Sequence, residues 1–315
     1  TGSGKIIIGN EGNESITNPS ITGAVRGQPA DIYLHSGIIT PTTGKGISGR
    51  NNITITGGYI KSSVNDYLVI GSTSASVITI TGGVIEQTGR SEAVTTGNET
   101  EGKIIISGGK IIGNSYAAVN NKKGETIITG GEIAGENGIR SENGITKVSG
   151  GTITGTNYGI YTSTGNVEIS GRAEITGQVG VYIADTGNVI VRENPVITGT
   201  SYMSIGINAG TGEITGGIIT GETYGVSATG SVTIGDNSNE VSVTTPRIQG
   251  KQAGIIVNSN IKEFNFYDGI LIGIDSISGI DEPTAVADGY CVENGTETID
   301  GVEYETAYLA TKNYE

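Results

Sequence analysis

Apolar residues in this chain come in short alternating bursts, each followed by a glycine corner and a second burst. The clearest phrases are I-T-G-G-x-I at Ile55 to Ile60 and I-S-G-G-K-I-I-G at Ile106 to Gly113. One position of the phrase can be followed through Ile39, Ile60, Ile85, Ile111, Ile133, Ile153, Ile175, Ile197, Ile219, Ile248 and Leu271, at steps of 20 to 29 residues. A second ladder lies five residues upstream of most rungs, at Leu34, Ile55, Ile80, Ile106, Ile128, Val148, Ile169, Ile214 and Phe266. A third apolar spot follows at Ala118-Val119, Gly138-Ile139, Gly159-Ile160, Gly180-Val181, Gly225-Val226 and Gly254-Ile255. A coil this small cannot bury its own apolar face, so neighbours above and below must do so. Three short strands and three turns in each repeat predict an all-β fold, a right-handed parallel β-helix with about 11 or more coils, rising by one strand spacing per coil.

The pattern divides the chain into irregular first coils over residues 1–30, regular repeats over 31–275, and a C-terminal cap over 276–315. In the last segment two strand-like runs flank Asp300-Gly301, a hairpin signal. The repeat lengthens between Ile60 and Ile111 and between Ile219 and Ile248, so loops are expected there, the second near Asp236 to Glu240.

Alternation along each strand sorts the side chains. Outward, just before the second ladder, stand Thr54, Thr79, Ile105, Ile127, Lys147, Glu168, Ile190, Glu213 and Thr233, with Lys147 and Glu168 placed to pair across coils. Just after it stands a mostly hydroxyl row: His35, Thr56, Thr81, Ser107, Thr129, Ser149, Ser170, Arg192 and Thr215. The glycine pairs that come next are expected to turn the corner with φ > 0.

Composition narrows the function. Glycine occurs 54 times, tryptophan is absent, and the net charge is −14 with a pI near 4.5. There is no basic stripe for nucleic acid and no attraction to an anionic membrane surface, and no apolar run is long enough to span a bilayer. The single Cys291 excludes an internal disulfide. The chain starts at Thr1 rather than Met, which is expected of a processed or excised chain. An open first coil then favours end-to-end self-association or a neighbouring domain as partner.

The I-T-G-G-x-I phrase resembles the pectate-lyase-like β-helix superfamily and looks most like the adhesin-like solenoids of Gram-positive bacterial surface proteins. Phe266-Tyr267-Asp268-Gly269-Ile270 and Tyr304-Glu305-Thr306-Ala307-Tyr308-Leu309 are similar to segments of those proteins. The resemblance implies an extracellular, cell-surface location and an adhesive or structural role, with a glycan or a host or surface protein as partner. The same superfamily includes polysaccharide lyases and glycoside hydrolases, so enzymatic cleavage is the alternative.

Catalysis of that kind needs carboxylates gathered on one outward face. Asp31, Asp66, Asp185, Asp236, Asp268, Asp275, Asp281, Asp288 and Asp300 share no coil position on adjacent rungs by this reading, so no catalytic residue is assigned. His35, the single histidine, is read as an exposed residue lacking partners in the repeat. Asp236 to Glu240 offers oxygen ligands for Ca2+ but lacks the spacing of a calcium loop, so it reads as a polar turn and no cofactor is expected. The best binding lead is a partial tyrosine row, Tyr116, Tyr158, Tyr202 and Tyr224, placed before the third apolar spot, where rings can stack on sugars or proteins. Thr54 and Thr56, and Thr79 and Thr81, suggest an ice-binding face, but Lys, Glu and Arg interrupt it in later coils.

Overall fold

In the computed structural model, the structure describes residues 4–12, 18–65, 69–72, 76–96, 101–237, 241–258, 261 and 263–312. These residues form strands, turns and no helix, wound as parallel stacked coils of a β-solenoid with about 12 turns. They fall into two compact units, Thr1–Ile160 and Tyr161–Glu315.

In the first unit each coil carries strands in three columns. Column A holds Lys5–Ile8, Asp31–Leu34, Ile53–Ile55, Val77–Ile80, Lys103–Ile106, Glu125–Ile128 and Ile145–Val148. Column B runs through Ser20–Ile21, Ile38–Ile39, Tyr59–Ser62, Val84–Gln87 and Lys110–Gly113. Column C runs through Val25–Gly27, Ile47–Gly49, Ile70–Ser72, Val94–Thr95 and Ala117–Asn121, and Glu132–Ser141 serves columns B and C without a break. The second unit repeats the plan. Its column A includes Asn188–Val191, Thr211–Ile214, Ser231–Ile234 and Phe264–Phe266, beside Val196–Gly199 and Ile218–Gly221 in B and Met203–Ile207 and Tyr224–Ala228 in C.

Both ladders read from the sequence are columns of like residues in register. Ile39, Ile60, Ile85, Ile111 and Ile133 pair in turn in the first unit, and Ile175, Ile197, Ile219, Ile248 and Leu271 in the second. All are at most 2 % exposed. The second ladder gains three rungs that the phrase hid: Ile8 before Leu34, Val191 before Ile214, and Ile234 before Phe266. The first coils also join the stack in register, with Ile21 on Ile39 and Val25 on Ile47.

The corner after column A explains the glycine pair, and its two members have different tasks. At Gly109 the chain takes φ of +81, where an L side chain is strained. Gly108 is required by space: a Cβ there would lie 2.4 Å from the Thr81 carbonyl oxygen of the preceding coil. In the second unit Gly216 and Gly217 repeat the division, with 2.3 Å to the Glu193 oxygen and φ of +89. The coil just before Gly216 lacks such a pair, and there Glu193 itself takes φ of +64.

The cap is a hairpin. Tyr290–Ile299 and Val302–Thr311 pair antiparallel around Asp300 and Gly301, both at positive φ, as a tight primed turn requires. The second strand also pairs antiparallel with Ile270–Gly273, covering that edge of the last coil. Arg247 clamps the hairpin through a two-bond pair to Glu297, at 2.7 and 3.1 Å, and this bond holds the Glu297 carboxyl below its usual range.

The interior is not apolar throughout. At the end of column C in the first unit the inward row reads Ser72, Thr96, Asn121 and Ser141, all nearly inaccessible. Asn121 is fully satisfied: it accepts from Thr96 Oγ1 at 2.8 Å and from the Gly124 amide at 3.0 Å, and donates to Thr126 Oγ1 at 3.1 Å. One coil on, Ser141 replaces Asn121 and Thr146 replaces Thr126 in register. A serine is too short to span that gap, and both hydroxyl oxygens are buried with no hydrogen-bond partner among the described residues.

Two predictions follow from this packing. Ile197→Ala should cost about 2–5 kcal/mol in chemical denaturation, whereas the outward neighbour Thr198→Ala should stay within about 0.5 kcal/mol; equal effects would mean the register is wrong. Ser141→Asn should extend the amide row and raise stability by about 0.5–1.5 kcal/mol by restoring the missing bonds, and a lower melting temperature would show that the gap cannot take the longer side chain.

Candidate functional site

The outward faces of column A and column B are largely occupied by pairs made between successive coils. Lys61 meets its register partner Glu86 at 3.1 Å, and the Tyr59 hydroxyl donates to the same carboxylate. The Tyr59 bond, with help from Lys61, holds Glu86 below the ordinary carboxylate range, while burial and the Glu86 contact push Tyr59 up. Glu125 sits between Lys103 at 2.7 Å and Lys147 at 3.2 Å, and is likewise held low, mainly by Lys103. Lys147 thus faces outward as expected, but it pairs with Glu125 of the coil before it, where the sequence pointed to Glu168 of the coil after it. Lys110–Glu132, Arg192–Glu213 and Lys251–Glu222 continue this pattern.

His35 departs from its expected isolation. Its Nδ1 lies 2.7 Å from Thr56 Oγ1 of the next coil, and its ring stacks on Tyr33 with centroids 6.2 Å apart. The hydroxyl row supplies the partner because His35 and Thr56 occupy one position on adjacent coils.

The tyrosines sort by unit. Tyr202 and Tyr224 come together edge to face at 5.3 Å in the second unit, with Tyr202 46 % exposed. Tyr116 lies in the first unit under the Arg140 guanidinium, 5.2 Å from the ring centre, and its carbonyl oxygen accepts two bonds from Asn137. Tyr158, also in the first unit, is half-buried. Another pair, Tyr161 and Tyr182, stands 6.0 Å apart in the second unit. The signal for it was available, since each follows the buried Ile160 or Val181 by one residue.

The acidic residues require a correction. Ile234 pairs with Phe266, and Asp236 and Asp268 each lie two residues beyond that pair, on adjacent coils. Gly235 allows the approach: a Cβ on it would lie 2.3 Å from the Asp268 amide nitrogen. Burial pushes Asp268 up to about 6, aided by the charge of Asp236 and opposed by backbone bonds from Gly269 and Ser242. Asp66 and the end of the Asp236 to Glu240 stretch lie outside the described residues. Among the described residues no three His, Cys, Asp or Glu side chains converge to hold a metal ion.

Beside this pair a shallow groove of about 460 Å³ crosses the outer face of column A, lined by Thr211, Glu213, Thr215, Ser231, Thr233, Asp236, Glu263 and Tyr267 among others. A cavity of about 510 Å³ lies between the last coil and the cap hairpin, where Cys291, Glu305 and Lys312 line it. The Cys291 thiol points to the Ala310 carbonyl oxygen at 3.7 Å.

The Asp268 shift sets a sign for pH dependence. Its folded-state pKa is raised above the unfolded value of 3.8, so the folded protein holds the proton more tightly between about pH 4 and pH 6. Stability therefore falls as pH rises through that window. Asp268→Asn should stabilise the protein at pH 7 by on the order of 1 kcal/mol, after discounting for the solvent that still reaches the group. That gain should vanish below about pH 4, and urea titrations at pH 4 and pH 7 check it.

Comparison with protein-family models, curated proteins and solved structures finds no match to this chain, so its function is argued from its own geometry.

Proposed function

We propose that this chain is a non-enzymatic structural or adhesive module of an exported bacterial surface protein, or a subunit of a fibre. The observation that carries this reading is the use made of the outward charges. Glu86, Glu125, Glu132, Glu213 and Glu222 each pair with a lysine or arginine. Such pairs brace one coil against the next and keep those carboxylates engaged with a cation, the opposite of what proton transfer to a substrate needs. The partners that suit the reading are a neighbouring domain or a second copy at the coil ends, and a glycan or surface protein along the faces. Location at the cell surface rests on the resemblance of the repeated phrase to adhesin-like solenoids.

A second reading, hydrolysis of a polysaccharide, is favoured by one observation. Asp236 and Asp268 lie two residues beyond the paired Ile234 and Phe266 on adjacent coils, and burial raises the Asp268 carboxyl to about 6, as suits a general acid beside a second carboxylate. In that reading Asp268 would protonate the leaving oxygen at mildly acidic pH while Asp236 activates water.

Incubation with neutral and acidic polysaccharides at pH 5 and pH 8, with and without calcium, separates the two. No release of reducing ends or unsaturated products is the expected outcome. Reproducible cleavage that Asp268→Asn or Asp236→Asn abolishes would establish the enzyme reading.

A further inference from the structure

We propose that the groove on column A of the second unit binds an uncharged oligosaccharide, laid across the coils. This deepens the adhesive reading and rests on it, by naming the surface and the class of ligand.

The groove runs over three consecutive strands of one face: Thr211–Ile214, Ser231–Ile234 and Phe264–Phe266. The polar positions along it repeat at the strand spacing, so two steps cover about 9.6 Å, close to the span of two pyranose rings. Thr233 offers a hydroxyl that can donate, and Thr211, whose hydrogen goes to Asn188, offers a lone pair; Glu213, Asp236 and Glu263 offer further acceptors for sugar hydroxyls. Tyr267, at the far end, supplies an aromatic face of the kind on which the C–H side of a sugar ring packs, with a hydroxyl at its tip.

The walls are held in place before any ligand arrives. Asn265, only 6 % exposed, donates its amide hydrogens to Glu263 Oε1 at 2.9 Å and to Thr233 Oγ1 at 3.3 Å, fixing two lining residues at once. The Asn265 carbonyl oxygen has no hydrogen-bond partner among the described residues, which leaves a buried acceptor open beside that wall. Thr211 is fixed in the same way by Asn188, at 2.8 Å. Prior ordering of this kind reduces what a flexible saccharide must supply on binding.

Charge chooses among saccharides. The lining contains three carboxylates and no lysine or arginine, and the nearby Arg192 is engaged by Glu213 at 3.1 Å. A uronate or sulfated chain would bring like charge into the groove, whereas a neutral chain meets acceptors for its hydroxyls.

Native gel electrophoresis of the full chain through gels containing a soluble β-glucan, a galactomannan or polygalacturonate tests this. Retardation by at least one neutral polymer and none by polygalacturonate is expected. Tyr267→Ala should weaken that retardation about ten-fold or more, and Tyr267→Phe should retain most of it. Glu263→Gln, an exposed substitution that leaves the coil packing intact, should weaken it as well and serves if Tyr267→Ala fails to fold. Retardation by polygalacturonate alone, or by no polymer, would overturn the proposal. Retardation unchanged by both Tyr267→Ala and Glu263→Gln would remove the groove while leaving an adhesive role. Reducing ends released in the same gels would instead remove the non-enzymatic reading while the groove stood.

Discussion

The hydrogen bonds between parallel strands of successive coils are the constraint on which the structure depends. After column A, the amide of Thr56 donates to Leu34, Thr81 to Ile55, Ser107 to Ile80 and Thr129 to Ile106, at 2.9 Å each. No coil can satisfy its own backbone, because each strand of a coil is two to five residues long, or two such strands run together, and its partners are a full turn away in sequence. The side chains inherit that spacing. An isoleucine placed inward must lie on another isoleucine, and a lysine placed outward must find whatever charge the next coil offers. The glycine pair follows from the same spacing, since at Gly108 the backbone of one coil comes to within contact of the carbonyl of the coil before it.

This spacing is why so much of the fold was legible in the sequence. A residue that stacks on its own kind repeats at the coil length, and the two isoleucine ladders are that repetition. Legibility failed where the corner changed its chemistry. Arg192-Glu193-Asn194-Pro195 turns without a glycine pair, and the inserted residues after Gly235 lengthen the following coil, so Val191 and Ile234 dropped out of the ladder although their outward neighbours Ile190 and Thr233 were placed beside it. The loss spread to the candidate site. The ladder as read skipped Ile234, so the proximity of Asp236 and Asp268 on adjacent coils emerged only from the pairing of Ile234 with Phe266.

The tyrosines illustrate a different limit. Sequence position indicates which residues share a coil location, but ring contacts depend on side-chain reach. Tyr224 lies in register with Met203, yet its ring meets Tyr202. Tyr116 lies under an arginine of the next coil, a contact that aromatic spacing does not announce. Spacing therefore identified the edge on which aromatic residues gather without identifying which of them touch.

The buried polar row of the first unit has a consequence for how such a chain can change. Apolar rungs are interchangeable, since one isoleucine stacks on another in any order. Asn121 is not, because its amide is matched to Thr96 on one coil and to Gly124 and Thr126 on its own. Duplication or deletion of a coil at that point would separate donors from acceptors at positions almost fully buried. Repeats elsewhere can be copied or lost with little penalty, whereas Asn121 fixes the order of the coils around it and marks a place where the number of repeats resists drift.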